Sequence, residues 1–348
     1  LDLFNYGVED RMIGGGPPRQ GLVPNDQGLP SVSASLPNAP TGAPSETPSV
    51  SPSGSATTVP TPAANASPTA LQPPWKSAPP SGQGQMVYLA LSAPWVKAGT
   101  ATEEVDIYLP PGYAASKTKR YPTVYEAPFT FNLWNSAFHV KATLDALIDG
   151  GEIPPSLFVF MNEWGGPFAD PQCSDSYDGR EKVDQFMGVT VPAYVDKHYR
   201  TIARPEARSL IGMSEGGYCA AILALHHPDV FGSEMSFSGY FTAGLGSAGA
   251  AVVYGGNQTL IYQDSPRYVA PGLAQSVRSS LYVVLVAEPS QALYGPEATG
   301  YAAILDGAGI KYTFVEAKEP HGWPQVRDYF GQALTLVGLR EAELGVFT

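Results

Sequence analysis

One serine between two glycines constrains this chain more than any other feature. The run 209–211 indicates a strand, Gly212-Met213-Ser214-Glu215-Gly216 follows it, and a helical pattern covers 217–227. A serine on so sharp a turn from strand to helix has a strained backbone, and the flanking glycines avoid clashes with neighbouring elements. The pattern predicts that the Ser214 hydroxyl is presented above the edge of a sheet as a nucleophile.

Short apolar runs recur on both sides of this turn, with helical patterns between them. Val105, Ile107 and Leu109 alternate with polar residues, as on a half-buried strand. Further strands are expected at 123–125, 157–161, 209–211, 235–237, 281–287 and 312–315, and helices at 298–308 and after Pro324. This order predicts an α/β fold with a mostly parallel central sheet and helices on both faces.

The N-terminal part of the chain has a different composition. Residues 31–82 are rich in Pro, Ser and Thr, with Glu46 and Lys76 as their charged residues. Such a segment buries too little apolar surface to offset its ordering entropy, so we predict a disordered linker whose deletion leaves folding unchanged. The alternative is a wrap on the domain surface near 71–75, where apolar side chains cluster. Residues 1–30 stay unassigned, and 83–348 form the α/β domain.

Charge and composition exclude several classes of partner. A net charge of −12 and a pI near 4.8 disfavour nucleic-acid binding. No stretch reaches the about 18 apolar residues of a membrane span. Cys173 and Cys219 lack metal-ligand spacing, so neither metal nor cofactor is expected; they form either one disulfide or two buried thiols.

The chain begins at Leu1, which leaves room for a removed leader, and we expect an extracellular or cell-surface protein tethered by its linker.

A serine hydroxyl needs a base to take its proton, and in a fold with this turn the base comes from later in the chain. His321 follows the last predicted strand and precedes the final helix, so we assign it as the base. Turnover should then fall as the pH drops through about 6 to 7. The backbone N–H of Glu215, at the positive end of the helix, is the expected first oxyanion donor.

The stretch 121–330 resembles the putative esterase family, which includes esterase D, feruloyl esterases and mycolyltransferases. The motifs that carry the resemblance occur in the family's order; they are Ala146-Leu147-Ile148-Asp149-Gly150-Gly151-Glu152-Ile153-Pro154-Pro155, Cys173-Ser174-Asp175-Ser176, Val191-Pro192-Ala193-Tyr194-Val195-Asp196, the serine turn, His227-Pro228-Asp229-Val230-Phe231 and His321-Gly322-Trp323. The resemblance implies an α/β hydrolase without a large cap domain. It also implies acyl ester substrates and a covalent acyl-enzyme on Ser214.

Two positions depart from the family pattern. The family usually has His-Gly or Asp-Gly after the strand that supplies the second oxyanion donor, whereas this chain has Val124-Tyr125-Glu126-Ala127-Pro128-Phe129-Thr130. Proline lacks an N–H, so the second donor falls to Phe129 or Thr130; we take Phe129.

The family's acid follows the strand 281–287, and Glu288 at the strand end is our candidate. Glu297, at the start of the next helix, and Gln291, at the family's spacing, are the alternatives.

Together these features predict a serine esterase acting on carboxylic esters of small molecules, polysaccharides or lipids. An acyltransferase of the mycolyltransferase kind is the first alternative, since it forms the same acyl-enzyme. A catalytically weak surface or binding module is the second, because the oxyanion loop and the acid are irregular.

Overall fold

The computed structural model describes residues 73–76, 79–96, 101–245 and 249–347. Eight strands form one sheet in the order β1-β2-β4-β3-β5-β6-β7-β8. The strands are β1 Gln85–Ser92, β2 Thr102–Leu109, β3 Thr123–Glu126, β4 Leu157–Met161, β5 Arg208–Met213, β6 Ser233–Phe237, β7 Tyr282–Ala287 and β8 Lys311–Glu316. β2 pairs antiparallel with β1 and β4, and all pairs from β4 to β8 are parallel.

The helices among these residues are α1 Phe131–Phe138, α2 Val140–Asp149, α3 Val183–Gln185, α4 Val191–His198, α5 Glu215–His226, α6 Gln258–Gln263, α7 Pro266–Val269, α8 Gln275–Ser280, α9 Tyr294–Ala308 and α10 Trp323–Glu343. Helices α1, α2 and α10 bury Val140, Leu144 and Phe330 against one face of the sheet. Helices α5 and α9 bury Ile222 and Leu305 against the other. The described residues between β6 and β7 form short helices and turns rather than an inserted domain.

The predicted α/β-hydrolase fold, with a mostly parallel sheet between two helical layers, is confirmed. Strands β3 to β7 are buried along their whole length because helices cover both faces. Strand β1 was not predicted. It lies at the sheet edge and leaves Tyr88 exposed, although residues 86–91 form a continuous apolar run like that of an inner strand.

The end of the Pro/Ser/Thr-rich segment packs on the domain. Residues 1–30, and most of 31–82, lie outside the described residues. Trp75 is buried, and its ring centroid lies 5.3 Å from that of Phe347. A Cβ at Gly338 in α10 would come within 3.0 Å of the Trp75 ring, so the helix approaches the indole closely. In the described part of the chain, no helix combines the length and apolar character that crossing a membrane requires.

Candidate active site

Ser214 lies on the turn between β5 and α5. Its backbone has φ 60° and ψ −117°, a conformation that is strained for any residue with a Cβ. The Ser214 N–H donates to the Phe237 carbonyl at 2.8 Å, which fixes the turn to the neighbouring strand. A Cβ on Gly212 would lie 2.2 Å from the Gly216 backbone, so the turn requires glycine there.

The loop after β3 packs against this turn. A Cβ on Gly216 would lie 2.5 Å from the Ala127 carbonyl oxygen, so loop and turn touch through backbone atoms. Burial raises the pKa of Glu126 well above its ordinary value, and the Trp134 indole and the Phe129 N–H, which face the carboxyl, offset part of that rise. Thr130 follows with φ −72° as the N-cap of α1. The Phe129 N–H thus faces a buried carboxyl.

His321 lies between β8 and α10, as the sequence order places it. Its backbone N–H donates to Gln291 Oε1 at 2.7 Å. Burial lowers the pKa of the imidazole to about 4, well below its ordinary value. The imidazole is therefore neutral at physiological pH and able to accept a proton.

Tyr294, the first residue of α9, contacts both Ser214 and His321. Its ring stacks on the imidazole with centroids 4.1 Å apart and planes 12° apart. Its hydroxyl lies 3.5 Å from Ser214 Oγ, long for a hydrogen bond between hydroxyls. The serine and the histidine therefore lie at one site. Tyr294 was not predicted from the sequence. The local signal for it is that it lies three residues after Gln291, a candidate for the acid position.

The three candidates for the acid have different partners. Glu288 Oε1 accepts hydrogen bonds from the Ser290 N–H at 3.0 Å and the Ser290 hydroxyl at 2.7 Å. Glu297 Oε2 accepts from the Phe241 N–H at 2.8 Å, which gives this carboxylate a structural partner. Gln291 is the candidate whose side chain contacts His321, and it does so through the backbone N–H.

The side chain of Glu215 is buried behind the serine turn in a polar cluster. Gln172 Nε2, which has two N–H groups to donate, lies within hydrogen-bonding distance of Glu215 Oε1 at 3.0 Å, Asp170 Oδ1 at 2.8 Å and the Tyr240 hydroxyl at 2.8 Å. Burial, followed by the charges of Glu163 and Asp170, raises the pKa of Glu215 well above its ordinary value. A protonated Glu215 can share this space with the other carboxyls, and the cluster holds the first residue of α5 in place. Sequence reasoning also missed Gln172.

A disulfide joins Cys173 to Cys219 of α5, which answers the question that the sequence left open. Glu163 Oε2 accepts a hydrogen bond from the Cys173 N–H at 2.8 Å. Glu163 and the two sulfurs offer atoms within 4.8 Å of one another, but sulfurs bonded to each other are not thiolate ligands. The disulfide ties the loop that carries Gln172 to the helix that follows Ser214.

A strained serine between a parallel strand and a helix, with a histidine before the last helix, defines an α/β hydrolase. The sequence profile described as "Putative esterase" matches residues 100–296, more than half of the chain. The chain therefore belongs to this esterase family.

Similar structures share the fold at low sequence identity. A ferulic acid esterase has a TM-score of 0.61 and 18% identity, covering 74% of this chain and 99% of its own. Fluorophosphonate-binding serine hydrolase F of Staphylococcus aureus has a TM-score of 0.60 and 14% identity, with 74% and 99% covered. An S-formylglutathione hydrolase from Agrobacterium tumefaciens has a TM-score of 0.58 and 14% identity, with 76% and 98% covered.

An uncharacterized protein of Corynebacterium glutamicum is similar in sequence. It is 26% identical over 159 residues, which are 43% of this chain and 36% of the relative. The match thus spans about a third of that relative's length.

Proposed function

We propose that this protein is a serine esterase that hydrolyses carboxylic esters through an acyl-enzyme on Ser214. The observation that carries the proposal is the strained Ser214 backbone at the start of α5, with its hydroxyl and the half-buried His321 imidazole both against Tyr294. Backbone strain at such a turn persists where the surrounding structure holds it, as it does at nucleophiles.

The proposed reaction uses a few groups of this chain. Ser214 Oγ attacks the acyl carbon while its proton passes to His321, and the alcohol leaves with that proton. Water then attacks the acyl-enzyme, and His321 again takes the proton and returns it to Ser214 Oγ. The N–H of Glu215, at the positive end of α5, donates to the oxyanion.

The second oxyanion donor comes from the loop after β3. The Phe129 N–H faces the Glu126 carboxyl, whereas Thr130 is the N-cap of α1. These contacts favour Thr130 over Phe129.

Glu288 stays a prediction as the triad acid, and its Oε1 accepts hydrogen bonds from the Ser290 N–H and hydroxyl. Gln291, the alternative at the family's spacing, contacts His321 through the backbone N–H. Loss of the acid should leave part of the rate, as it does in other triads.

A fluorophosphonate probe and p-nitrophenyl esters test the proposal together. Wild type should be labelled and should turn over ester, and Ser214→Ala should lose both properties. Ser238→Ala is the matched control, because Ser238 also has a positive φ of 44° at a strand end but is fully buried and donates to Gln325 at 2.8 Å. Equal activity in Ser214→Ala and wild type would refute the proposal.

We also propose an extracellular or cell-surface location, which the Cys173–Cys219 disulfide supports because such bonds persist in oxidising compartments. The substrate would then be an ester of a small molecule, a polysaccharide or a lipid. Fractionation of the producing cells tests the location.

The alternative function is an acyltransferase, which would pass the acyl group to an alcohol. An added alcohol that diverts the acyl group from water would indicate the acyltransferase instead of the esterase.

A further inference from the structure

A histidine that takes a proton carries a positive charge during the reaction. In a triad, a carboxylate beside the imidazole stabilises that charge. Here neutral Gln291 binds the His321 backbone, and the carboxylate of Glu288 accepts hydrogen bonds from Ser290. The aromatic face of Tyr294 covers the imidazole itself.

The position of Tyr294 is held by strained backbone. Leu293, the residue before it, has φ 72° and ψ −68°, which is costly for a branched side chain. Gly295, the residue after it, packs so tightly that a Cβ would lie 2.2 Å from the Pro289 carbonyl oxygen. Such strain clusters at functional sites, and here it directs a buried tyrosine onto the base.

We propose that Tyr294 is an active-site residue whose ring stabilises the His321 imidazolium by a cation–π interaction. The proposal depends on the esterase reaction above. The ring centroid is 4.1 Å from the imidazole centroid, inside the roughly 6 Å over which a cation is attracted to an aromatic face. The attraction acts on the protonated imidazole and hardly on the neutral one, so it favours the transition state.

Tyr294 takes no part in the proton transfers of this step. As the bond from Ser214 Oγ to the acyl carbon forms, the hydroxyl proton moves to His321, and the carbonyl electron pair moves to the oxyanion. Tyr294 neither gives nor takes a proton, and at 3.5 Å its hydroxyl is a poor donor to Ser214 Oγ. The ring, rather than the hydroxyl, carries the effect.

Variants of the full chain separate the ring from the hydroxyl. Tyr294→Phe keeps the ring, and its kcat should stay within about twofold of wild type. Tyr294→Leu removes the ring, and its kcat should fall about 3- to 30-fold with KM nearly unchanged, in line with the strength of cation–π pairs. If the leucine variant does not fold, Tyr294→Met replaces it.

Tyr301→Leu is the matched control, because Tyr301 lies in the same helix and stacks on Phe241 at 4.0 Å and 15°. It should lower the melting temperature and leave kcat unchanged. A leucine or methionine variant within twofold of wild type, or a phenylalanine variant as slow as leucine, overturns the proposal. If Ser214→Ala also keeps its activity, the esterase reaction itself fails; if Ser214→Ala is inactive, the failure is confined to Tyr294.

Discussion

The side-chain oxygen of Gln291 accepts a hydrogen bond from the backbone N–H of His321 at 2.7 Å. The family spacing predicts the acid at or near Gln291, and in this chain an amide side chain holds the histidine loop there. An amide can fix the backbone of that loop but contributes no charge to the imidazole.

Gln291→Glu restores a carboxylate with almost the same shape. A negative charge near the imidazole favours its protonated form, so the pKa of His321 should rise above about 4. We expect the acid limb of kcat/KM to move to higher pH, measured with p-nitrophenyl acetate. Glu288→Gln removes the charge of the acid predicted from the sequence, and we expect it to change kcat less than about tenfold. A larger loss in Glu288→Gln would identify Glu288 as the acid.

Wild-type activity should persist to lower pH than an exposed histidine allows. Burial lowers the pKa of His321 to about 4, and the base must be neutral to accept a proton. As the pH falls, kcat/KM should decline through about 4 rather than through the about 6 to 7 expected from the sequence. A rate profile over this range checks the value, with circular dichroism at each pH as the control for unfolding. A midpoint near 6.5 in folded protein contradicts the prediction.

Thr130→Pro should disable the oxyanion site while the fold survives. Proline removes the N–H, and the φ of −72° at Thr130 suits its ring. Loss of one oxyanion donor lowers kcat by about 10² to 10³. Thr130→Ala retains the N–H and should keep kcat within about threefold. If the proline variant is folded and fully active, the second donor lies elsewhere.

A half-buried pair of histidines should make stability depend on pH. Asp184 binds His226 Nδ1 at 2.8 Å and His227 Nε2 at 2.7 Å. Burial alone would lower the pKa of His226, but the hydrogen bond to Asp184 raises it to about 9. A raised histidine pKa gives stability that is complete below the ordinary value of 6.5 and is lost as the pH rises through about 9.

Asp184→Asn should therefore cost about 2 kcal/mol of unfolding free energy near pH 6, and less above pH 9. Chemical denaturation at both pH values measures the difference. Asp178→Asn, which removes an exposed ion pair with Arg180, is the control and should change little. An equal loss at both pH values contradicts a role for the histidine charge.

Trp75→Ala should destabilise the domain. Trp75 is 7% exposed and packs on Phe347, so truncation leaves a cavity that costs about 3 kcal/mol. Trp164→Ala, at a tryptophan that is 37% exposed, is the control. Deletion of residues 1–82 should destabilise to a similar extent, contrary to the expectation from composition. Unchanged melting temperatures in both variants would show that the contact contributes nothing.

The sequence predicts the strands, helix ends and turns whose defining residues are close together in the chain. Strands β4 and β7 are continuous apolar runs, and the Gly309 that ends α9 has the left-handed conformation that glycine permits. The turn at Ser214 is predictable for the same reason, because its glycines and its strand are adjacent in the chain.

The supporting contacts join residues that are far apart in sequence. Tyr294 is 80 residues from Ser214, and Gln172 is 43 residues from Glu215. Neither side chain belongs to a periodic pattern, and an aromatic or amide residue in a loop has many alternative partners. Their roles follow from the way the sheet brings loops together at the carboxyl ends of its parallel strands.

The Cys173–Cys219 bond uses both cysteines of the chain, so the oxidised protein has no thiol of its own. A single cysteine introduced at an exposed residue, for example Tyr262→Cys, would be the sole attachment point for a maleimide dye. Fluorescence labels can then report on this protein without prior removal of native cysteines, provided that no reductant opens the bond to α5.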